Sequence, residues 1–150
     1  MRIFVDADAC PVKGLIVDIA KDYGIPVTMV IDTSHQYNDG YSEVIVVSKG
    51  ADAADFKLVN LAGKGDVVVT QDYGVAAMAL AKGAAAISEN GMIYTGDNID
   101  GLLMGRHQNK KIRSAGGRTK GPPKRGKSQD RAFEEKFAAL VRELTGREDY

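Results

Sequence analysis

Between Arg2 and Ile31 the hydrophobic pattern changes period twice, and this limits the fold more than any other feature of the chain. Arg2 to Val5 is a short apolar run that exits into Asp6-Ala7-Asp8, the pattern of a buried strand with a polar end. Val12, Leu15, Ile16, Ile19, Ala20 and Tyr23 then recur at helical spacing and mark one face of an α-helix. Pro11 suits its first turn, Gly24 its C-terminal cap, and Pro26 forbids continuation. Val27 to Ile31 is a second apolar run of strand length. Strand, helix and strand in this order argue for a right-handed βαβ unit and a parallel sheet.

The rest of the chain continues the alternation. Thr33 to Ser42 is polar, contains Asn38-Asp39-Gly40, and reads as a loop. Val44 to Val47 and Asp66 to Thr70 read as strands, the second exiting into Gln71-Asp72. Asp52 to Ala62 and Tyr73 to Ala81 read as helices, with Gly83 closing the latter. Ala84 to Ile87 and Met92 to Tyr94 flank Asn90-Gly91, a hairpin signal. Residues 97–113 suit a helix only weakly, because Gly101 and Gly105 interrupt it. Phe133, Phe137, Leu140, Val141 and Leu144 form an apolar stripe on a final helix, capped by Ser128 or Asp130 and stopped by Gly146. The chain therefore divides into an α/β core at 1–113, a Gly/Pro-rich basic loop at 114–128 and a C-terminal helix at 129–146, within a single domain.

Composition narrows the function. No stretch approaches the ~20 apolar residues that span a bilayer, and charge at Arg2 and Asp6 precedes any signal-peptide core. One cysteine, Cys10, excludes an internal disulfide and fits a reducing compartment. A cytoplasmic protein is expected. Net charge is zero, but residues 1–100 carry seven Lys/Arg against fourteen Asp/Glu, whereas residues 101–129 carry nine cations and no acid. An acidic body with a basic segment suggests an anionic partner, although a solvated loop also accounts for it.

In parallel α/β sheets ligands bind beyond the carboxyl ends of the strands. Asp6 and Asp8 are two residues apart, so an extended exit turns both to one side. Asp52 and Asp55 are neighbours on a helix, and Asp72 follows a later strand. Five carboxylates from three segments can thus meet at one sheet edge. Crowded carboxylates need a cation, and an all-oxygen set suits Mg²⁺ or Mn²⁺. Each aspartate also has a structural use: Asp8 or Asp72 as a helix cap, and Asp52 and Asp55 favouring a helix dipole.

Cys10 lies beside a helix N-terminus, where a thiolate is favoured, but a small half-buried residue is the simpler reading. His35 reads as a loop polar group. Gly116 to Lys127 combines glycines with Arg118, Thr119, Lys120, Lys124, Arg125 and Lys127, which supply donors for a phosphate backbone. It contains no aromatic for base stacking and no P-loop.

Val5-Asp6-Ala7-Asp8-Ala9-Cys10-Pro11, Gly50 to Asp55, Gly65 to Asp72 and Thr119-Lys120-Gly121-Pro122 together resemble the YaiI/YqxD family of uncharacterised bacterial proteins. These pieces occur in order along nearly the whole chain. The resemblance implies a PIN-like nuclease domain, with three α/β/α layers around a mainly parallel sheet and an acidic metal site. Carried over by motif, Asp6 stands at the first metal ligand, Asp52 or Asp55 at the helix acid and Asp72 at the acid after the later strand, preceded by Thr70. The Asp6-x-Asp8 doublet is not typical of such nucleases.

Three functions compete. A Mg²⁺- or Mn²⁺-dependent nuclease acting on RNA would place metal on Asp6, Asp72 and Asp52 or Asp55, with Asp8 as an outer ligand and the basic loop holding the phosphate chain. A phosphatase would use Asp6 as nucleophile and Asp8 as acid, with Cys10 at a position where such enzymes usually carry Thr or Val. A non-catalytic nucleic-acid binder needs the basic loop alone. Association into a homo-oligomer is left open.

Overall fold

A computed structural model describes residues 1–49, 53–114 and 125–146, with backbone alone at 53–55 and 106–114. The elements are β1 (Ile3–Asp6), α1 (Lys13–Tyr23), β2 (Val27–Asp32), β3 (Glu43–Val47), α2 (Ala53–Leu61), β4 (Val67–Val69), α3 (Tyr73–Ala81), β5 (Ala85–Ile87), β6 (Ile93–Tyr94), α4 (Gly96–Ser114) and α5 (Lys127–Thr145). One sheet runs β3-β2-β1-β4-β5-β6, parallel except that β6 is antiparallel to β5. The order reverses at β1: the chain moves outward through β2 and β3, then returns to place β4 on the other flank. Such a reversal is where open α/β sheets place their binding crevice, here beyond the carboxyl ends of β1 and β4.

Side-chain alternation along the strands makes three layers. Ile3 and Val5 of β1 with Val67 and Val69 of β4 pack under α1 and α5, through Ile16, Ala20, Phe133 and Phe137. Phe4 and Val68 point the opposite way and meet α2, α3 and α4 through Leu58, Ala76 and Ile99. Strands buried on both faces must be apolar at consecutive positions, which is why they read as unbroken runs. Phe133 and Phe137 are fully buried and stack with ring centroids 5.1 Å apart. Each contributes about 1.5–3 kcal/mol through burial, enough to fix the C-terminal helix onto the sheet.

The weakly marked helix over 97–113 forms, and two other local details differ from expectation. α4 is a nineteen-residue helix despite Gly101 and Gly105. Its start is held reciprocally: the Asn98 N–H donates to Thr95 Oγ1 at 3.2 Å, and the Thr95 N–H to Asn98 Oδ1 at 2.9 Å. Buried Ile99 with Leu102 and Leu103 then outweighs the glycine cost. The final helix starts at Lys127 and is capped by neither Ser128 nor Asp130; Gly126 is its N-cap and donates its N–H to Gln129 Oε1 at 2.6 Å. The exit from β1 is a turn closed by Cys10 N–H on Ala7 O at 3.1 Å, with Ala9 at φ 60°, so it is not extended.

Candidate functional site

Asp6 is the last residue of β1, and Thr70 follows β4, so both stand at the crevice. Thr70 is fully buried, and its hydroxyl donates to Asp6 Oδ2 at 3.1 Å while accepting the Asp72 N–H at 3.0 Å. Its backbone is held too, the N–H donating to Ile87 O at 3.1 Å and the carbonyl accepting from the Tyr94 hydroxyl at 3.1 Å. Thr70 thereby ties Asp6 to the backbone of Asp72. Asp72 caps α3, Oδ1 accepting from Gly74 N–H at 2.8 Å and Val75 N–H at 3.2 Å. Capping through one oxygen does not exhaust a carboxylate, which carries about four lone-pair sites.

Glu89, two residues beyond β5, adds a carboxylate that the sequence reading did not select. It is 8 % exposed, and its N–H donates to Gln71 Oε1 at 3.0 Å. Burial holds its carboxyl above the ordinary range, and the nearby Asp6 charge adds to this, against Cys10, Arg125 and Lys13. Burial likewise pushes the Cys10 thiol up to about 12, so Cys10 is an inert packed thiol despite its place before α1. A signal for Glu89 was present in the sequence: another strand end followed closely by an acid.

Asp8 does not join Asp6. The turn directs it toward β2, where Oδ2 accepts the Asp32 N–H at 3.1 Å and Oδ1 lies 2.9 Å from His35 Nδ1. Asp32 Oδ1 lies 3.1 Å from the same nitrogen. A phosphatase built on Asp6 and Asp8 needs both carboxyls at one phosphorus, whereas here they reach to opposite sides of β1, toward β4 and β2. Asp55 lies in the first turn of α2, with only its backbone described, and Asp52 lies outside the described residues.

The basic-segment residues divide. Arg118, Thr119, Lys120 and Lys124 lie outside the described residues. Arg125 is a structural clamp: Nε meets Asp130 Oδ1 at 2.8 Å, Nη1 Asn90 Oδ1 at 2.7 Å and Nη2 Glu89 O at 2.7 Å. Lys127, on α5, lines a cleft of about 600 Å³ with Pro11, Asp18, Asp130, Arg131 and Glu134. At the β1 exit Lys13 Nζ donates to Ala7 O at 3.2 Å and Cys10 O at 3.0 Å, holding the turn from the side of α1.

Among the described residues, the three acidic or histidine side chains whose ligand atoms lie within 4.8 Å of one another are Asp8, Asp32 and His35; Asp6, Asp72 and Glu89 do not form such a group. Among the described residues no helix is long and apolar enough to cross a membrane.

The profile described as "Uncharacterized BCR, YaiI/YqxD family" matches residues 4–143. A "UPF0178 protein" of Ruminiclostridium cellulolyticum is 58% identical over 142 residues, covering 95% of this chain and 93% of its own. One from Clostridium acetobutylicum is 52% identical over 143 residues, covering 94% and 97%, and one from Exiguobacterium sibiricum is 48% identical over 145 residues, covering 97% and 99%. No solved structure matches the chain. The matches run almost end to end and include both strand exits that meet at Thr70: the chain belongs to the uncharacterised bacterial YaiI/YqxD family.

Proposed function

We propose that this protein is a Mg²⁺- or Mn²⁺-dependent nuclease that hydrolyses phosphodiester bonds in RNA. The observation that carries the reading is the buried Thr70 hydroxyl, shared by the Asp6 carboxylate and the Asp72 backbone where the strand order reverses. The resemblance to PIN-like nuclease domains supports it. Asp6, Asp72 and Asp52 or Asp55 hold the metal, Thr70 sets the spacing of the first two, and Glu89 adds a further carboxylate beside Asp6. A divalent ion held there would supply Lewis-acid activation of a water and offset charge on the leaving oxygen. Water oxygen bonds to phosphorus, the bridging ester bond breaks, and the departing ribose oxygen takes a proton. Arg118, Thr119, Lys120, Lys124 and Lys127 hold the phosphate chain, while Arg125 anchors the segment to the Glu89–Asn90 turn.

The test is cleavage of end-labelled single-stranded RNA and DNA by the purified protein in Mn²⁺, Mg²⁺ or EDTA. Metal-dependent cleavage of RNA that disappears in Asp6→Asn and Asp72→Asn supports the reading. RNA binding without cleavage in any metal overturns it in favour of a non-catalytic binder, and cleavage unchanged in both variants assigns the activity to a contaminant.

A further inference from the structure

Asp8, Asp32 and His35 have no part in the site around Thr70, yet they come from separate stretches of chain to one place. Asp8 sits in the turn after β1, Asp32 ends β2, and His35 lies in the loop beyond. One ligand atom from each lies within 4.8 Å of the others. Both carboxylates are oriented by donors: Asp8 Oδ2 by the Asp32 N–H, Asp32 Oδ1 by the Ser34 N–H at 2.8 Å and by the Ser34 hydroxyl. Such outer hydrogen bonds fix the direction in which a ligand presents its lone pairs.

The charge balance sets this group apart from an ordinary surface cluster. Among the described residues neither Asp8 nor Asp32 forms an ion pair with a lysine or arginine. Their shared neighbour is the His35 imidazole, whose Nδ1 lies 2.9 Å from Asp8 Oδ1 and 3.1 Å from Asp32 Oδ1. Two carboxylates set this close together repel each other. At separations of a few ångströms that repulsion favours a cation held by both.

We propose that Asp8, Asp32 and His35 form a second divalent-metal site, separate from the one around Thr70 and selective for a transition metal. Two carboxylate oxygens and one imidazole nitrogen suit Mn²⁺, Co²⁺, Ni²⁺ or Zn²⁺, because imidazole gives these ions an advantage over Mg²⁺ and Ca²⁺. The side chains are 24 %, 26 % and 52 % exposed, which leaves one side of the group to water ligands. Asp6 reaches to Thr70 on the β4 side of β1 and Asp8 to Asp32 on the β2 side, so the two sites flank the same strand. The proposal does not depend on the nuclease reading.

The test is titration of the full chain with Co²⁺, followed by visible absorption and by proton NMR of the shifted imidazole N–H. Saturable binding with a shifted exchangeable proton is expected in the wild type and in Asp6→Asn. In His35→Ala the shifted proton should vanish and affinity should fall about 10–100-fold or more, at least the effect of losing an outer partner. Asp32→Asn should also weaken binding, and melting in EDTA checks that both variants fold. No saturable Co²⁺ binding in the wild type overturns the proposal. So does binding that is lost in Asp6→Asn and intact in His35→Ala, which would place the ion at the other site.

Discussion

Thr70 donates its hydroxyl proton to the Asp6 carboxylate at 3.1 Å, joining residues 64 positions apart across the β1–β4 boundary. The same oxygen accepts the Asp72 N–H, so one buried side chain links the acid that ends β1 to the acid that caps α3. Thr70→Val keeps the shape and removes both bonds. It should cost about 1–3 kcal/mol in urea unfolding, the range for leaving buried polar groups unpaired. Metal-dependent cleavage should fall by about 10–100-fold, as for loss of an outer partner. Thr70→Ser should recover most of both.

Gly91 sits at φ 89° in the turn after β5, where an added Cβ would lie 2.7 Å from the Ala132 carbonyl oxygen of α5. Gly91→Ala should therefore destabilise by more than the roughly 1–2 kcal/mol of a left-handed alanine alone, since helix and turn must also separate. Thermal melting reads this directly.

Asp39 organises the loop between β2 and β3. It accepts from the Tyr37 hydroxyl at 2.6 Å, the Tyr41 N–H at 2.8 Å and the Ser42 N–H at 2.6 Å. Burial works to raise its carboxyl, but these bonds outweigh it and hold the carboxyl at about 2, against an ordinary 3.8. A depressed carboxyl pKa adds stability that is present above the unfolded value and lost as pH falls through the folded one. Stability should fall between about pH 4 and pH 2, and Asp39→Asn should flatten that limb of the acid titration.

Arg125 and the cations before it should separate experimentally. Arg125→Ala breaks its hydrogen bonds to Glu89, Asn90 and Asp130 and should lower the melting temperature. Alanine at Arg118, Lys120 and Lys124 should leave melting nearly unchanged. It should instead shallow the log–log salt dependence of RNA binding, by about 0.7 for each phosphate no longer neutralised. A fall in stability without a change in slope would assign those three residues to docking on the acidic body.

The layered sheet was legible because strands buried on both faces must be apolar at every position, as Ile3-Phe4-Val5 and Val67-Val68-Val69 are. The strand ends were less so. Asp32 reads as the first polar residue of a loop, yet it pairs with Val47 and ends β2 in register, which puts it beside Asp8. Asp8 itself depends on a left-handed alanine, Ala9, which no local pattern announces. Glu89 and Arg125 meet across 36 residues, a distance at which spacing carries no information.

A cation shared by Asp6 and Asp72 is the centre of the proposed chemistry. Anomalous scattering from crystals grown with Mn²⁺ measures its presence. The expected result is a peak roughly 2.1 Å from carboxylate oxygens of both residues, the distance of a small octahedral cation from its ligands. Bare carboxylates at Asp6 and Asp72 in saturating Mn²⁺ would contradict it.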